Sequence, residues 1–270
     1  EQALASAKRA ARTAANTFVV NYYNILEQFV FACGTRQFAS SLRSLVNSSS
    51  DTVRLVQSEL SALAHCNYLV HSAMILSGDG EQVCTLYTSS LQSPPEDLFS
   101  QENLESVKGI TLLPRRPSPL RSSVPVIPLL FPLSLSADEY AHLTTDGSAP
   151  DGYVILFLDC GKLEESLLIS QDGRSDGVYY LMDSRSVPLN ADPNQKLPRF
   201  LERESTEEFL ASLRESSCTE STCTLPDSWL IAIKIRNTDL ILLNYVPRVS
   251  VLDALGTAGA SLLVILLVVL

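Results

Sequence analysis

Arg115, Arg116 and Arg121 stand close together in a chain that otherwise offers few side chains suited to holding a ligand. A guanidinium fork near a buried edge suits a carboxylate, sulfate or phosphate, because its donors meet such oxyanions in pairs. Tyr87, near the end of a strand-like stretch, offers an aromatic wall and a hydroxyl, and Tyr153 opens the apolar stretch that runs to Asp159. Each residue also has a plainer reading. The arginines lie in a Pro/Ser-rich segment where water would solvate them, Asp159 stands where it would cap a helix beginning near Gly161, and both tyrosines suit ordinary strand positions.

Other chemistries find little support. Cys33, Cys66, Cys84, Cys160, Cys218 and Cys223 include no C-x-x-C pair, and His65, His71 and His142 are not at ligand spacing to them, so no metal site is expected. Cys218 and Cys223 flank a polar segment that either closes as a small disulfide loop or holds two reduced thiols; the other four sit in apolar contexts that suit buried free thiols. There is no nucleophile elbow, phosphate loop or His-Glu zinc motif, and the pairs Glu164-Glu165 and Glu207-Glu208 fall on helix surfaces. Neither catalysis nor a cofactor is expected. The net charge is −10, and the basic residues Lys8, Arg9, Arg12, Arg36 and Arg43 of the first fifty form no clustered basic face, so nucleic acid is not an expected partner.

The elements that must position these residues follow from hydrophobic spacing. With 46% apolar and 19% charged residues the chain can build a core. Leu4, Ala7, Ala11, Ala14, Phe18, Tyr22, Ile25, Phe29 and Ala32 form a heptad-like stripe that predicts one helix over about the first 45 residues. Small residues line its first half and aromatics its second. The stripe suits either packing on the chain's own domain or a homodimer contact. A second helix, capped by Ser50 or Asp51, runs to about Cys66. Tyr68–Leu76 and Gln82–Thr88 read as two strands about a tight turn, and Ser93 to Lys108 as a loop with a short helical segment. Six prolines between Leu113 and Leu133 argue against a central ladder strand there.

Further along, Gly152–Asp159 predicts a buried strand and Gly161–Leu168 a short amphipathic helix. Val178–Met182 is strand-like, Ser205–Glu215 a helix capped by Ser205 with Glu208 three residues on, and Trp229–Arg236 with Leu240–Val246 a hairpin. Ala254–Leu270 carries no charge; its seventeen residues would reach about 26 Å as a helix, which predicts a membrane span left incomplete by this piece of chain.

That order resembles an extracytoplasmic double Cache sensor domain, a long helix followed by two PAS-like modules. Gly152–Leu168 resembles the strand, ending in Asp, and the short helix that close the membrane-distal module. Val178 to Ser184 resembles the opening strand of the proximal module, and Trp229–Leu252 its closing hairpin and exit. The likeness is to domains of Gram-positive sensor histidine kinases and membrane-anchored AraC-type regulators. It implies an α+β fold with residues 1–48 as a signalling helix, 49–170 as a distal module, 171–248 as a proximal module and 249–270 as exit and truncated transmembrane helix.

The resemblance also implies a small-molecule ligand in the distal module, signal transfer to a cytoplasmic output, attachment through Ala254–Leu270 and a homodimer through the first helix. Amine-binding members of the family use an Arg-x-Trp-Tyr cluster and an Asp at the end of the distal closing strand. Asp159 matches that Asp, whereas Arg115, Arg116 and Arg121 occupy the region of the cluster without Trp or Tyr partners. The expected ligand set is therefore Asp159, Tyr87, Arg115, Arg121 and Tyr153. The competing expectation is a structural or partner-binding ectodomain whose distal interior is filled with Leu, Val and Phe.

Overall fold

In a computed structural model, the chain is described over residues 2–46, 50–78, 83–85, 109–135, 141–144, 149–168, 177–192 and 196–248. Two antiparallel sheets are strung along one helix. Helix α1 (Gln2–Cys33) buries Ala7, Ala11, Ala14, Ala15, Phe18, Tyr22, Ile25, Phe29 and Cys33, which is the predicted stripe with few changes. It ends twelve residues earlier than the pattern predicts. Gly34 and Thr35 break it, and the Thr35 hydroxyl accepts the Phe38 amide (3.3 Å) to start α2 (Arg36–Val46). A hydroxyl that competes for the backbone stops one helix and caps the next. Helix α3 (Ser50–His65) follows.

The first sheet, which lies in the stretch expected as the distal module and is labelled distal for that reason, contains β1 (Val70–Ser77), β2 (Val83–Thr85), β3 (Thr111–Leu112), β4 (Arg116–Pro117), β5 (Pro125–Leu135), β6 (Ala141–Leu143) and β7 (Gly152–Asp159). Its order is β2-β1-β7-β5-β3, with β4 and β6 also on β5. The closing strand β7 is thus central, beside the opening strand β1. After α4 (Cys160–Leu168), the proximal sheet repeats that arrangement. It contains β8 (Val178–Met182), β9 (Glu220–Thr224), β10 (Ser228–Lys234) and β11 (Ile241–Pro247), in the order β8-β11-β10-β9, and α5 (Glu204–Glu215) lies between β8 and β9 in sequence.

β5 overturns the expectation that prolines exclude a central strand: it pairs with β7 over eight positions while β3, β4 and β6 pair along its other side. The reason is parity. Pro128 and Pro132 offer their carbonyls to the amides of Leu113 and Thr144 (both 2.9 Å), on the β3/β6 side, whereas Leu133 offers its own to Asp151 (2.8 Å). In an antiparallel strand a residue's N–H and C=O point the same way. The missing donors of Pro128 and Pro132 therefore face the short strands, and the long ladder to β7 is untouched.

Two further readings are corrected, and the state of Cys218 and Cys223, left open by the sequence, is decided. The segment taken as a polar turn around Cys218 and Cys223 contains β9, paired with β10 from Glu220 to Thr224. The two thiols are free, and Glu220, Ser221 and Thr222 between them lie in strand β9. Helix α5 starts at Glu204 with Arg203 at the N-cap and no side-chain cap; Thr206 instead donates its hydroxyl to the Phe200 carbonyl (2.6 Å), so Ser205 lies inside the helix. Tyr87, the segment from Ser93 to Lys108 and Ala254–Leu270 lie outside the described residues. Among the described residues no helix is long and apolar enough to cross a membrane.

One core runs the length of α1. Ala73, Ile75, Leu129, Phe131, Val154 and Leu156 of the distal sheet, Leu60 of α3, Leu163 of α4, and Ile231, Leu242 and Val246 of the proximal sheet all join it. Alternation then gives each sheet a second face. In the proximal sheet that face, with Met182, Leu230, Ala232 and Leu243, is closed by Phe200, Leu210 and Leu213 from α5 and the segment before it. α1 is tied directly to both modules: Arg12 bonds Glu220 (2.5 Å), the Tyr23 hydroxyl donates to the Arg236 carbonyl (2.9 Å), and Phe29 stacks on Phe131 at 3.8 Å.

Burial pushes the thiols of Cys33 and Cys160 from the ordinary 9.0 up to about 12. A group whose folded pKa is raised stabilises the fold below its unfolded value and withdraws that contribution as pH climbs through the folded one. Chain stability is therefore expected to fall between pH 9 and pH 12 in urea titrations. At pH 8 a thiol reagent should label exposed Cys218 in the native state and reach Cys33 and Cys160 only with unfolding.

Candidate functional site

The second face of the distal sheet is the first candidate surface. Cross-strand partners stand on the same side of a sheet, so the register builds rows. Arg116, Val126 and Asp159 form one, Pro128, Phe157 and Ser72 the next, then Leu130, Ile155 and Met74, and finally Pro132, Tyr153 and Leu76. Met74, Leu76, Val126, Leu130, Ile155 and Phe157 are at most 2% exposed. The polar members are Ser72, buried with no partner for its hydroxyl among the described residues, Tyr153 at one end, and Asp159 with Arg116 at the other.

The expected ligand residues divide among three places. Asp159 accepts the Lys162 amide at 3.1 Å and so caps α4. A small electrostatic group surrounds it: burial lowers the His71 pKa, Asp159 opposes that shift, and Lys162 and Arg121 add to it. Arg121 itself is exposed in a turn, where its carbonyl accepts the Val124 amide at 2.9 Å. Tyr153 is buried on the same face as Asp159 but six strand residues away, roughly 20 Å. Arg115 is carried to the junction of the two modules. Arg116, passed over in favour of its neighbours, is the arginine in register with Asp159.

At that junction lies a cleft of about 340 Å³. Arg115 enters from the distal side. Its amide donates to the Leu189 carbonyl (2.7 Å) and its Nη1 to the Asn190 carbonyl (3.3 Å), both on the proximal return after β8. Its guanidinium lies 3.6 Å from Glu164 on α4 and 3.8 Å from Asp192. Burial raises the Glu164 carboxyl pKa, opposed by Arg115. Asn190 seals the free edge of β8 by imitating a strand: its side chain accepts the Leu181 amide (2.9 Å) and donates to the Tyr179 carbonyl (3.0 Å). Gly177 lines one wall because a Cβ there would sit 2.5 Å from the Asn244 side-chain oxygen. Tyr180, Lys196, Leu168, Val178, Leu197 and Pro198 also line it. No composition signal marked this cleft, because its residues come from segments far apart in the chain. Among the described residues no cluster of His, Cys, Asp and Glu is arranged to hold a metal ion.

Two sheets that each place the closing strand beside the opening one, threaded on a shared N-terminal helix, have close counterparts in solved structures. The extracellular domain of a protein assigned as a histidine kinase, rpHK1S-Z16, superposes with a TM-score of 0.59 at 15% identity, covering 93% of this chain and 97% of that one. A domain of a protein assigned to the sensory box/GGDEF family of Vibrio parahaemolyticus gives 0.56 at 15% identity over 92% and 97%. The fold is that of a double Cache sensor domain. The sensory domain of the Campylobacter jejuni chemoreceptor Tlp3, solved with isoleucine bound, gives 0.50 at 13% identity over 90% and 91%. No family model matches the sequence, and no curated protein is significantly similar to it. The sheet of β1, β5 and β7 falls in the stretch expected as the distal module and that of β8 to β11 in the stretch expected as the proximal one.

Proposed function

We propose that this double Cache chain is the extracytoplasmic ligand-sensing domain of a bacterial transmembrane signal-transduction receptor. A small molecule binds over the second face of the distal sheet, and the change passes through α1 and the proximal module to a cytoplasmic output. The observation that supports this reading best is the single core along α1, which joins both modules in a fold used by extracellular domains of histidine kinases and chemoreceptors. Tyr153 and Asp159 mark the two ends of the binding face, with Tyr87 and Arg121 from the expected set; Arg115, held at the junction by the Leu189 and Asn190 carbonyls, takes no part in it. Any kinase or other output activity belongs to a separate domain, and Ala254–Leu270 supplies the membrane attachment.

Homodimerisation through α1 belongs to the same reading but needs a different face. Ala11 is 1% exposed against the chain's own modules, so a dimer contact must use the opposite side, where Val20 is 67% and Phe31 75% exposed. Val20→Cys should cross-link between copies, and Ala11→Cys should not.

A thermal-shift screen of the chain against small metabolites tests the ligand. At one hundred times its Kd a ligand adds about 2.7 kcal/mol to apparent stability. Asp159→Asn and Tyr153→Phe should weaken that gain without unfolding the chain. The apolar packing of the described part of the distal face favours a second reading, a structural or partner-binding ectodomain. Absence of any stabilising metabolite in a folded preparation supports that alternative and counts against the first.

A further inference from the structure

We propose that the β8 and β11 side of the proximal sheet's second face is a second ligand site, taking a small aromatic carboxylate whose ring lies against Tyr180 and Tyr245 and whose charge meets Arg199 and Arg203. The hollow follows from the register. Tyr180 of β8 pairs with Leu243 of β11, and Tyr245 of β11 pairs with Val178, so the two tyrosines are diagonal neighbours on one face. Helix α5 packs on β9 and β10, and Phe200 from the segment before it reaches over the tyrosines. Its ring stacks on Tyr245 at 4.3 Å and stands edge-on to Tyr180 at 5.8 Å. Where that cover stops, a space of about 420 Å³ remains.

Four side chains that can donate line the space with their donors unspent. The hydroxyls of Tyr180 and Tyr245 and the guanidinium groups of Arg199 and Arg203 make no hydrogen bond among the described residues. The arginines are exposed, but the backbone under them is fixed by two successive turns. Leu201 donates its amide to the Pro198 carbonyl (2.9 Å) and Arg203 its own to the Phe200 carbonyl (3.4 Å). Glu202 and Glu204 flank Arg203 in the chain without forming an ion pair with it. Among the described residues Asp227 is the one carboxylate that lines the space, and its Oδ1 accepts the Ser228 hydroxyl (3.0 Å). Guanidinium forks and phenol hydroxyls together ask for an acceptor with several lone pairs, which a carboxylate supplies on two oxygens. The rings beside them favour a flat aromatic body over an aliphatic one.

The site shares Tyr180 with the junction cleft and lies on a different sheet from the distal face, so it and the proposed sensing role can fail separately. The probe is benzoate, titrated into the full chain by calorimetry at low ionic strength, with benzyl alcohol as the neutral control and acetate as the ringless one. Benzoate should bind at least about tenfold tighter than either, since one lacks the charge-assisted hydrogen bonds and the other the buried ring. Arg199→Gln and Arg203→Gln should each cost about tenfold in affinity. Asp227→Asn should raise affinity several-fold, a gain that no loss of folding can imitate. Lys196→Met in the junction cleft and Asp159→Asn on the distal face should leave affinity unchanged; a loss in either would place benzoate elsewhere and overturn the proposal. Absence of benzoate binding, equal affinities for benzoate and either control, or indifference to both arginine variants would also overturn it.

Discussion

Phe29→Ala will remove about 3–5 kcal/mol of stability, the range for truncating a fully buried phenylalanine. Phe29 is 0% exposed, stacked on Phe131 of β5 at 3.8 Å and set edge-on to Phe38 of α2 at 6.4 Å. Those partners are themselves 0% exposed, and they come from a helix and a sheet that cannot both move inward to fill the space. The cavity should therefore stay open rather than collapse. Urea denaturation should show a lower midpoint with an unchanged slope, the sign of lost native-state packing. A double-mutant cycle with Phe131→Leu should return a coupling of about 0.5–1.5 kcal/mol for the stacked rings. A loss below about 1 kcal/mol would mean that α1 does not anchor the distal sheet, and signal transfer along it would lose its physical basis.

How far the sequence discloses this architecture depends on how local each signal is. Gly152–Asp159 and Val178–Met182 are legible because an apolar run bounded by Gly or Asp needs no partner to be recognised, and the hairpin from Ser228 to Pro247 because its turn residues Asn237 to Asp239 lie between two such runs. The α1 stripe is legible for the same reason, and Ala7, Ala11 and Ala14 are buried as its spacing requires. β5 is misread because proline count was weighed without parity: the carbonyl directions of Pro128 and Pro132 decide which ladder loses its donors, and only pairing reveals them. β9 is missed because Glu220-Ser-Thr-Cys-Thr is polar throughout, and its strand state comes from the neighbouring β10.

The candidate sites divide the same way. Asp159 is legible as the end of a strand and the cap of a helix, since both roles are set within four residues. The junction cleft is not, because Arg115, Glu164 and Asp192 meet only when α4 and the return after β8 are folded against the distal module. Arg115 and Arg116 are indistinguishable as adjacent letters. Pairing of β4 with β5 separates them, placing Arg116 in the row of Val126 and Asp159 and leaving Arg115 to reach the proximal carbonyls.

Ala14→Leu should cost about 1–3 kcal/mol by overpacking the other half of α1. Ala14 is 0% exposed, and Ala7, Ala11 and Ala15 around it are at most 4% exposed, so the proximal sheet lies directly on a strip of methyl groups. Leucine is almost as good a helix former as alanine, so a loss cannot be charged to propensity. The extra carbons must push β10 and β11 away from the helix or force a strained rotamer. Either response stretches the Arg12–Glu220 pair and the Tyr23 bond to the Arg236 carbonyl. Val20→Leu, on the exposed side, is the matched control and should stay within about 0.5 kcal/mol of the parent. Paired with Phe29→Ala, the experiment separates the two ends of the bar: one variant empties its contact with the distal module, the other crowds its contact with the proximal one. If Ala14→Leu is as stable as the parent, the proximal sheet is free to ride off the helix, and a displacement started at the distal face would have no rigid path through α1.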